Sequence, residues 1–274
     1  MNEFALPKLV TFDGEARSGK GTVVQATKDY LRDECGYDVM LIDAGQVFRV
    51  LVVAATRAGI DLSDSDALDT FLADPIEIEK CVQFVKAVYH MEKVERDALL
   101  YTNEVGANSA VVGARPLSQD FKDELLKKWL HDAGNEGYQV VLLDGRTLEQ
   151  VGKTLESEGL CDFVLGLYFV CDPIVGARRT LGFAATSYDE LSENEKQSVD
   201  ELVLQINERN RKDKERVTQP IAPPIGANTY VLPEVPTKID NNERLMAVID
   251  SSAEISKDTM TLPVAQLVAK SIKI

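Results

Sequence analysis

The residues with the clearest potential for chemistry lie in the stretch FDGEARSGKGT, from Phe12 to Thr22. Gly14 and Gly19 are separated by four residues, and Lys20 follows directly. Glycines at this spacing free backbone N–H groups to bind phosphate oxygens, and a helix that begins here adds a favourable dipole. The pattern predicts a loop that binds nucleotide phosphates, with Lys20 on the β- and γ-phosphates; the alternative is a strand-to-helix turn that merely needs glycine. The residues predicted to bind these phosphates are Gly14, Arg17, Ser18, Gly19, Lys20, Gly21 and Thr22.

The position of the hydroxyl residue in this loop is unusual. Gly21 separates Lys20 from Thr22, whereas the common form of the loop places Ser or Thr directly after the lysine, where it holds Mg²⁺. We therefore expect Mg²⁺ to be held largely by phosphates and water, with Thr22 and Asp144 acting mostly through water. For Asp144, an ordinary turn at the end of a strand is the alternative.

Glu15 brings a negative charge into the loop, where phosphate oxygens would crowd. Arg17 stands two residues later, at a position often filled by glycine. We predict that Glu15 points away from the phosphates and that Arg17 is the nearer charge, folding back to offset Glu15.

The sequence around the loop predicts the elements that must position it. Lys8–Asp13 has the pattern of a buried strand, and Gly19–Glu34 and Gln46–Ala58 have the apolar spacing of helices. Continuous apolar runs are typical of parallel strands that are covered on both faces. We therefore predict an α/β fold with a five-stranded, parallel, doubly wound sheet, helices on both faces and ligands at the carboxyl ends of the strands. The other four predicted strands are Val39–Asp43, Val140–Leu143, Phe163–Cys171 and Met246–Asp250.

We interpret the chain as a single domain, 1–274. Its core comprises residues 1–60, 117–179 and 217–274, with an excursion at 61–116 and a helical segment at 180–216. The interval Pro220–Asn242 contains five prolines and no helical period, so we predict a surface loop before the last strand.

One predicted helix changes character along a single face. Four apolar residues follow helical spacing, and the same face then continues with charged residues. A helix that leaves its packed neighbour and enters a polyphosphate cleft would need this change; a solvated helix end is the alternative, because NERNRKDKER is charged all round. The apolar positions are Val199, Leu202, Val203 and Ile206, and the charged ones are Arg209, Asp213 and Arg216.

Composition excludes several classes of function. The 30 Lys and Arg against 45 Asp and Glu give a net charge of −15, which disfavours binding to nucleic acid or anionic membranes. The four cysteines lack Cys-x-x-Cys spacing and there are two histidines, so we expect reduced thiols and no structural zinc site. No apolar run approaches the ~20 residues that cross a bilayer, and MNEFALPK lacks a signal-peptide pattern. We expect a soluble, cytoplasmic protein that acts as a monomer.

Five segments resemble, in their order, the motifs of bacterial cytidylate kinases within the nucleoside monophosphate kinase superfamily. The resemblance implies the P-loop NTPase fold and transfer of the γ-phosphoryl group of ATP to CMP or dCMP. It also implies Mg²⁺ as cofactor, an acceptor-binding excursion at 61–116 and an arginine-rich lid at 180–216. The segments are LIDAGQVFRVLVVAA (Leu41–Ala55), TNEVGANSA with Pro116, LLDGRT (Leu142–Thr147), ARR (Ala177–Arg179) and INERNRKDKER (Ile206–Arg216).

The resemblance assigns roles to individual residues. Arg178 and Arg209 are similar to lid arginines, and with Lys20 and Arg216 they form the expected catalytic set. Phosphoryl transfer needs mainly alignment and charge neutralisation, which such a set supplies. The residues implied to bind the acceptor are Asp43, Arg49, Arg146, Asp213 and Arg216.

The departures from the family pattern concentrate on the acceptor side. Ala44 and Thr147 stand where the family has Ser and Asp, and Ala110 and Gln119 stand where it presents a base-reading Ser and Arg. A lost partner for a buried polar group costs ~1–3 kcal/mol, so the choice of acceptor is open. Two alternatives remain: a kinase for another nucleotide or small phosphorylated acceptor, and a nucleotide-binding protein with weakened catalysis.

The segment Glu77–Leu100 is poor in turn residues. The small inserted sheet of many bacterial family members needs such turns, so we expect that sheet to be reduced or remodelled.

Overall fold

The central sheet has six strands in the order β2-β3-β1-β4-β6-β5. The computed structural model describes residues 6–216, 220–236 and 246–273. β1 pairs in parallel with β3 and β4, and β6 pairs in parallel with β4 and β5. The strands are β1 (Lys8–Gly14), β2 (Val39–Asp43), β3 (Val140–Asp144), β4 (Asp162–Val170), β5 (Asn228–Val231) and β6 (Met246–Asp250).

The predicted α/β fold with a parallel sheet is confirmed, but the number of strands was wrong. The additional strand, β5, lies inside Pro220–Asn242, which we predicted to be a loop. β5 has four residues, mostly exposed, and lies at the edge of the sheet, where neighbouring prolines are tolerated. Residues 237–242 of that predicted loop lie outside the described residues.

The described residues form eleven α-helices. Gly19 lies just before the first helix in a left-handed conformation, so the helix begins at Lys20, one residue later than predicted. The helices are α1 (Lys20–Asp33), α2 (Ala44–Arg57), α3 (Ser65–Ala73), α4 (Pro75–Tyr89), α5 (Lys93–Leu100), α6 (Asn103–Gly113), α7 (Pro116–Glu136), α8 (Leu148–Ser157), α9 (Pro173–Thr180), α10 (Glu193–Lys214) and α11 (Lys257–Ser271).

The chain forms two compact units, one from the described residues of Met1–Ile42 and Leu130–Ile274, and one from Asp43–Trp129. In the first unit, Val10 and Phe12 of β1 pack into a core with residues of α1 and α11. The other face of the sheet is covered by α8, where Gly152 lies against the ring of Phe163. The sheet is therefore flanked by helices on both faces. The division into core, excursion and lid stays a prediction.

The Asp43–Trp129 unit is helical. Apolar residues of α2, including Val47 and Leu51, pack in a buried cluster with Phe71, Val85 and Val112. The segment Glu77–Leu100 is occupied by most of α4 and by α5 and contains no strand, so it holds no inserted sheet. No helix in the described part of the chain combines the length and the apolar character that crossing a membrane requires.

Candidate active site

The phosphate-binding loop predicted from the sequence joins β1 to α1, and its two spaced glycines have distinct backbone conformations. Gly14 has φ 146°, and a Cβ there would collide with the backbone of Phe169 on β4. Gly19 has φ 77°, a left-handed conformation that favours glycine. The N–H of Glu15 donates to the carbonyl of Phe169 at 2.9 Å. The glycine spacing therefore reflects both close packing on the sheet and the turn into the helix.

Arg17 occupies the loop in a left-handed conformation, with φ 59°, which is strained for a residue with a side chain. This explains why glycine suits the position. The Arg17 side chain is exposed and makes no hydrogen bond or ion pair to another described residue.

Lys214 of α10, rather than Arg17, contacts Glu15, with 2.8 Å between Nζ and Oε1. The prediction that Arg17 offsets Glu15 is therefore wrong. The partner of Glu15 comes from a helix 199 residues further along the chain, which local sequence could not indicate. The orientation of Glu15 relative to bound phosphate stays a prediction.

Three other elements contact the loop. The N–H of Ala16 donates to Oδ1 of Asn210 on α10 at 2.8 Å, in a buried hydrogen bond. Oγ of Ser251, after β6, donates to the carbonyl of Ser18 at 2.8 Å. On α9, a Cβ at Gly176 would lie 2.8 Å from the carbonyl oxygen of Arg17. These contacts fix the backbone of the first half of the loop.

Lys20 and Asp144 contact each other through Nζ and Oδ1. Lys20 is the first residue of α1, and Asp144 is the last residue of β3, which pairs directly with β1. Both side chains are largely buried. The lysine predicted for phosphate and the aspartate predicted for Mg²⁺ are thus brought together.

Asp213 is buried between two arginines. Its carboxylate contacts the guanidinium of Arg146 and lies 2.5 Å from that of Arg216. Burial lowers the pKa of Arg146, and the positive charges of Arg209 and Arg216 lower it further. Three guanidinium groups close together repel one another, and a nearby anion relieves this repulsion. The predicted Arg146, Arg209, Asp213 and Arg216 are therefore assembled in one region of the first unit.

Asp13, which sequence reasoning did not single out, supports the loop that carries Arg146. Oδ2 of Asp13 accepts a hydrogen bond from the N–H of Leu148 at 2.6 Å. Thr147, the N-cap of α8, has φ 62° and provides no side-chain cap of its own. Asp13, which lies on β1, therefore caps α8 in place of Thr147. Burial raises the pKa of Asp13 to about 6, although the Leu148 N–H, Lys20 and Arg146 act in the opposite direction. The available signal was an aspartate at the end of a strand, directly before Gly14.

Arg178 is buried and holds two segments together. Its guanidinium contacts the carboxylate of Glu254 and the carbonyl of Thr186. The neighbouring Arg179 donates to the carbonyl of Ser251 at 2.7 Å. The role of Arg178 as a lid arginine stays a prediction.

The Asp43–Trp129 unit contains a second group of predicted site residues. Asp43 caps α2 by accepting a hydrogen bond from the N–H of Gln46 at 3.1 Å. The hydroxyl of Tyr101 donates to Asp43 at 2.9 Å, and the Arg49 guanidinium lies 4.6 Å from the centre of the Tyr101 ring. Arg49 also donates to the carbonyl of Leu100 at 2.8 Å. Tyr101 thus joins Asp43 and Arg49, and sequence reasoning missed it because it lies 58 residues from Asp43.

Comparison with known proteins identifies the family. The profile of the cytidylate kinase family matches residues 10–235. The chain belongs to the cytidylate kinase family. This confirms the resemblance drawn from the motifs.

Curated relatives named cytidylate kinase match along most of their length. The one from Aliivibrio salmonicida is 25% identical, covering 78% of this chain and 84% of the relative. The one from Pseudomonas aeruginosa (strain LESB58) is 28% identical, covering 80% and 85%. The one from Bordetella pertussis is 25% identical, covering 88% and 93%.

Four positions depart from the cytidylate kinase pattern, and the structure shows what occupies them. Ala44 is the buried first residue of α2, and Ala110 is exposed on α6. Gln119 donates to the carbonyl of Gly113 and accepts from Nζ of Lys122 at 2.9 Å, so its amide is engaged within the unit. Thr147, in its left-handed conformation, is the fourth.

The residues present fit a Mg²⁺ ion held mainly through nucleotide phosphates. Mg²⁺ prefers oxygen ligands, keeps several waters and often uses one or two carboxylates together with substrate phosphates. Asp144 offers a carboxylate, and Thr22 offers an exposed hydroxyl in the first turn of α1. Across residues 6–216, 220–236 and 246–273, no three His, Cys, Asp or Glu side chains are grouped so that they could hold a metal ion.

Proposed function

We propose that this chain transfers the γ-phosphoryl group of ATP to CMP or dCMP, with ADP and CDP or dCDP as products. Family membership and the names of the relatives support this reaction. The structural observation that carries it is the contact of Lys20 with Asp144, which lies two residues before Arg146, and the contact of Arg146 with the buried Asp213. The lysine for the donor phosphates and the arginine for the acceptor phosphate are thus near one another.

In the proposed reaction, an oxygen of the acceptor phosphate attacks the γ-phosphorus of ATP. The new P–O bond forms while the bond between the γ-phosphorus and the bridging oxygen breaks, and the electron pair leaves with ADP. No general base is required, because the acceptor phosphate is already ionised. The backbone N–H groups from Ser18 to Gly21 and the Lys20 ammonium would bind the donor phosphates.

The arginines would stabilise the charge that spreads over the transferred group. Arg209 lies on α10, Arg216 lies two residues after the end of that helix, and Arg178 lies on α9. Arg49, Arg146 and Arg216 would bind the acceptor phosphate, and Asp43 and Asp213 would contact the rest of the acceptor nucleotide. Thr22 and Asp144 would hold Mg²⁺, which neutralises phosphate charge when it is bound.

A panel of nucleoside monophosphates with ATP and Mg²⁺ tests the proposal. We expect ADP release to be fastest with CMP or dCMP, and to fall by at least about 100-fold in Lys20→Met, which removes a cation from the moving phosphoryl group. Lys128→Met, an exchange on α7 outside the predicted site, is the matched control. Absence of turnover with every pyrimidine monophosphate would contradict the proposal.

A different acceptor is the second candidate, and the hydrogen bonds of Gln119 favour it. Because Gly113 and Lys122 engage both ends of the Gln119 amide, this side chain has less capacity to read a base. The same panel, extended to purine monophosphates, separates the two candidates by the acceptor with the highest kcat/KM. ATP binding by calorimetry without turnover on any acceptor would instead favour a nucleotide-binding protein with weakened catalysis.

A further inference from the structure

Helix α10 contacts the phosphate-binding loop through a buried hydrogen bond. Oδ1 of Asn210 accepts the N–H of Ala16 at 2.8 Å, and Asn210 is 9% exposed. A buried N–H that loses its partner carries a penalty of ~1–3 kcal/mol, so the bond favours one position of the helix on the loop. Ala16 also belongs to the same buried apolar cluster as Val199 and Ile206 of α10.

One turn further along α10, an ion pair adds a second contact. Nζ of Lys214 lies 2.8 Å from Oε1 of Glu15. The side chain of Lys214 is half exposed, so this pair is partly screened by solvent. The ion pair matters because Lys214 neutralises the negative charge of Glu15. Without Lys214, the loop predicted to bind phosphates would carry an uncompensated carboxylate.

The same helix carries residues proposed to act on the substrates. Asn210 and Lys214 lie one position after Arg209 and Asp213, so the two pairs lie on adjacent faces of one helix. Asp213 in turn contacts Arg146 and Arg216. Since an α-helix moves as a rigid element, the position of the loop and the position of this charge network are linked.

We propose that Asn210 and Lys214 are positioning residues that clamp the phosphate-binding loop onto α10 and couple the ATP site to the acceptor-binding charges of that helix. The Asn210 hydrogen bond takes the Ala16 N–H out of phosphate binding and fixes the loop backbone before Ser18. The ion pair with Lys214 neutralises Glu15, so that an acidic residue can occupy a loop that binds phosphate. This inference rests on the proposed function for its catalytic consequence, but the clamp itself has readouts that do not require turnover.

Two substitutions of Asn210 test the hydrogen bond. Asn210→Leu has similar size without an acceptor, and Asn210→Asp keeps the acceptor oxygen. In the ligand-free protein, we expect hydrogen-exchange protection of the Ala16 amide to fall about 10-fold or more in Asn210→Leu and to be kept in Asn210→Asp. The buried Leu142 amide of β3 reports global stability and should lose much less protection than the Ala16 amide, which separates a local effect from lost stability.

The kinetic readout distinguishes a positioning residue from a purely structural one. We expect Asn210→Leu to weaken ATP binding measured by calorimetry and to raise the KM for CMP as well, by about 5-fold or more each. Asn210→Asp should restore the KM for CMP to within about 2-fold. Equal protection of Ala16 in wild type and Asn210→Leu, or equal losses in the two variants, would overturn the clamp.

A double-mutant cycle tests the charge. We expect Lys214→Met to weaken ATP binding about 3- to 10-fold at ~0.01 M salt and much less at ~1 M, where the Debye length is about 3 Å. Glu15→Gln combined with Lys214→Met should restore the affinity, because the uncompensated carboxylate is then gone. An unchanged affinity in Lys214→Met, or a double variant as weak as Lys214→Met, would overturn this part. If the wild type binds ATP but phosphorylates no acceptor, the proposed function fails while exchange and calorimetry still decide the clamp.

Discussion

Replacing Asp213 with asparagine should lower the free energy of unfolding by about 2–3 kcal/mol. Removing one partner of a buried ion pair costs about 3–5 kcal/mol, because the remaining charge is left uncompensated. Asp213 is 5% exposed and neutralises both Arg146, at 19%, and Arg216, at 26%. Both guanidinium groups keep some contact with water, and asparagine keeps one acceptor oxygen, so we place the expected loss below that range.

Urea unfolding measures this loss, and the midpoint should fall by about 1 M if the slope is about 2–3 kcal/mol per M. Glu201→Gln is the matched control, because it removes one carboxylate from an exposed position on the same helix. It should change stability by less than about 0.5 kcal/mol.

Inorganic phosphate provides a second readout for Asp213→Asn. An anion that binds between the two arginines takes the place of the lost carboxylate, so phosphate should stabilise this variant more than the wild type. A variant within about 0.5 kcal/mol of wild type, with the same response to phosphate, would refute the assignment of Asp213 as the neutralising group.

Two further substitutions test the backbone around the loop. Because burial raises the pKa of Asp13 from 3.8 to about 6, its favourable contribution to stability is complete below pH 3.8 and is lost as the pH rises through about 6. The free energy of unfolding of Asp13→Asn, measured with urea, should therefore rise relative to that of wild type by up to about 3 kcal/mol between pH 4 and pH 7. A difference between the two proteins that does not change with pH would contradict the titration of Asp13. Arg17→Gly removes the strain of a left-handed residue, which costs about 1–2 kcal/mol. It also adds about 0.5–1 kcal/mol of entropic cost, because glycine loses more backbone freedom on folding. We expect thermal stability to be equal or higher while the KM for ATP rises about 10-fold; a less stable variant would show that the conformation is unstrained.

The parts of the fold that sequence predicted depend on local patterns. The run from Lys8 to Asp13, the glycine spacing and the helical period after Gly19 are neighbours in the chain, and together they specify β1, the loop and α1. β5 carries no such pattern, because four residues are too few to show an alternation of apolar and polar side chains. It also lies at the edge of the sheet, where it pairs with β6 alone. The resemblance to a family added residue roles that local patterns could not provide.

The contacts that sequence missed join distant residues. Tyr101 meets Asp43 across 58 positions, Leu148 meets Asp13 across 135, and Asn210 meets Ala16 across 194. Of these, Asn210 left a usable signal. It lies four residues after Ile206 on the apolar stripe, whereas Arg209, which we placed on that face, is exposed.

Helix α8 depends on an aspartate that lies outside its own segment. A designer who transplants β3 and α8 into another scaffold would leave Asp13 behind, and the first turn of the helix would begin with unsatisfied N–H groups. Such a graft would need either a recipient strand that offers a carboxylate at the same place or a self-capping residue at position 147. The β3–α8 segment therefore cannot be transferred intact without β1, the strand that carries Asp13.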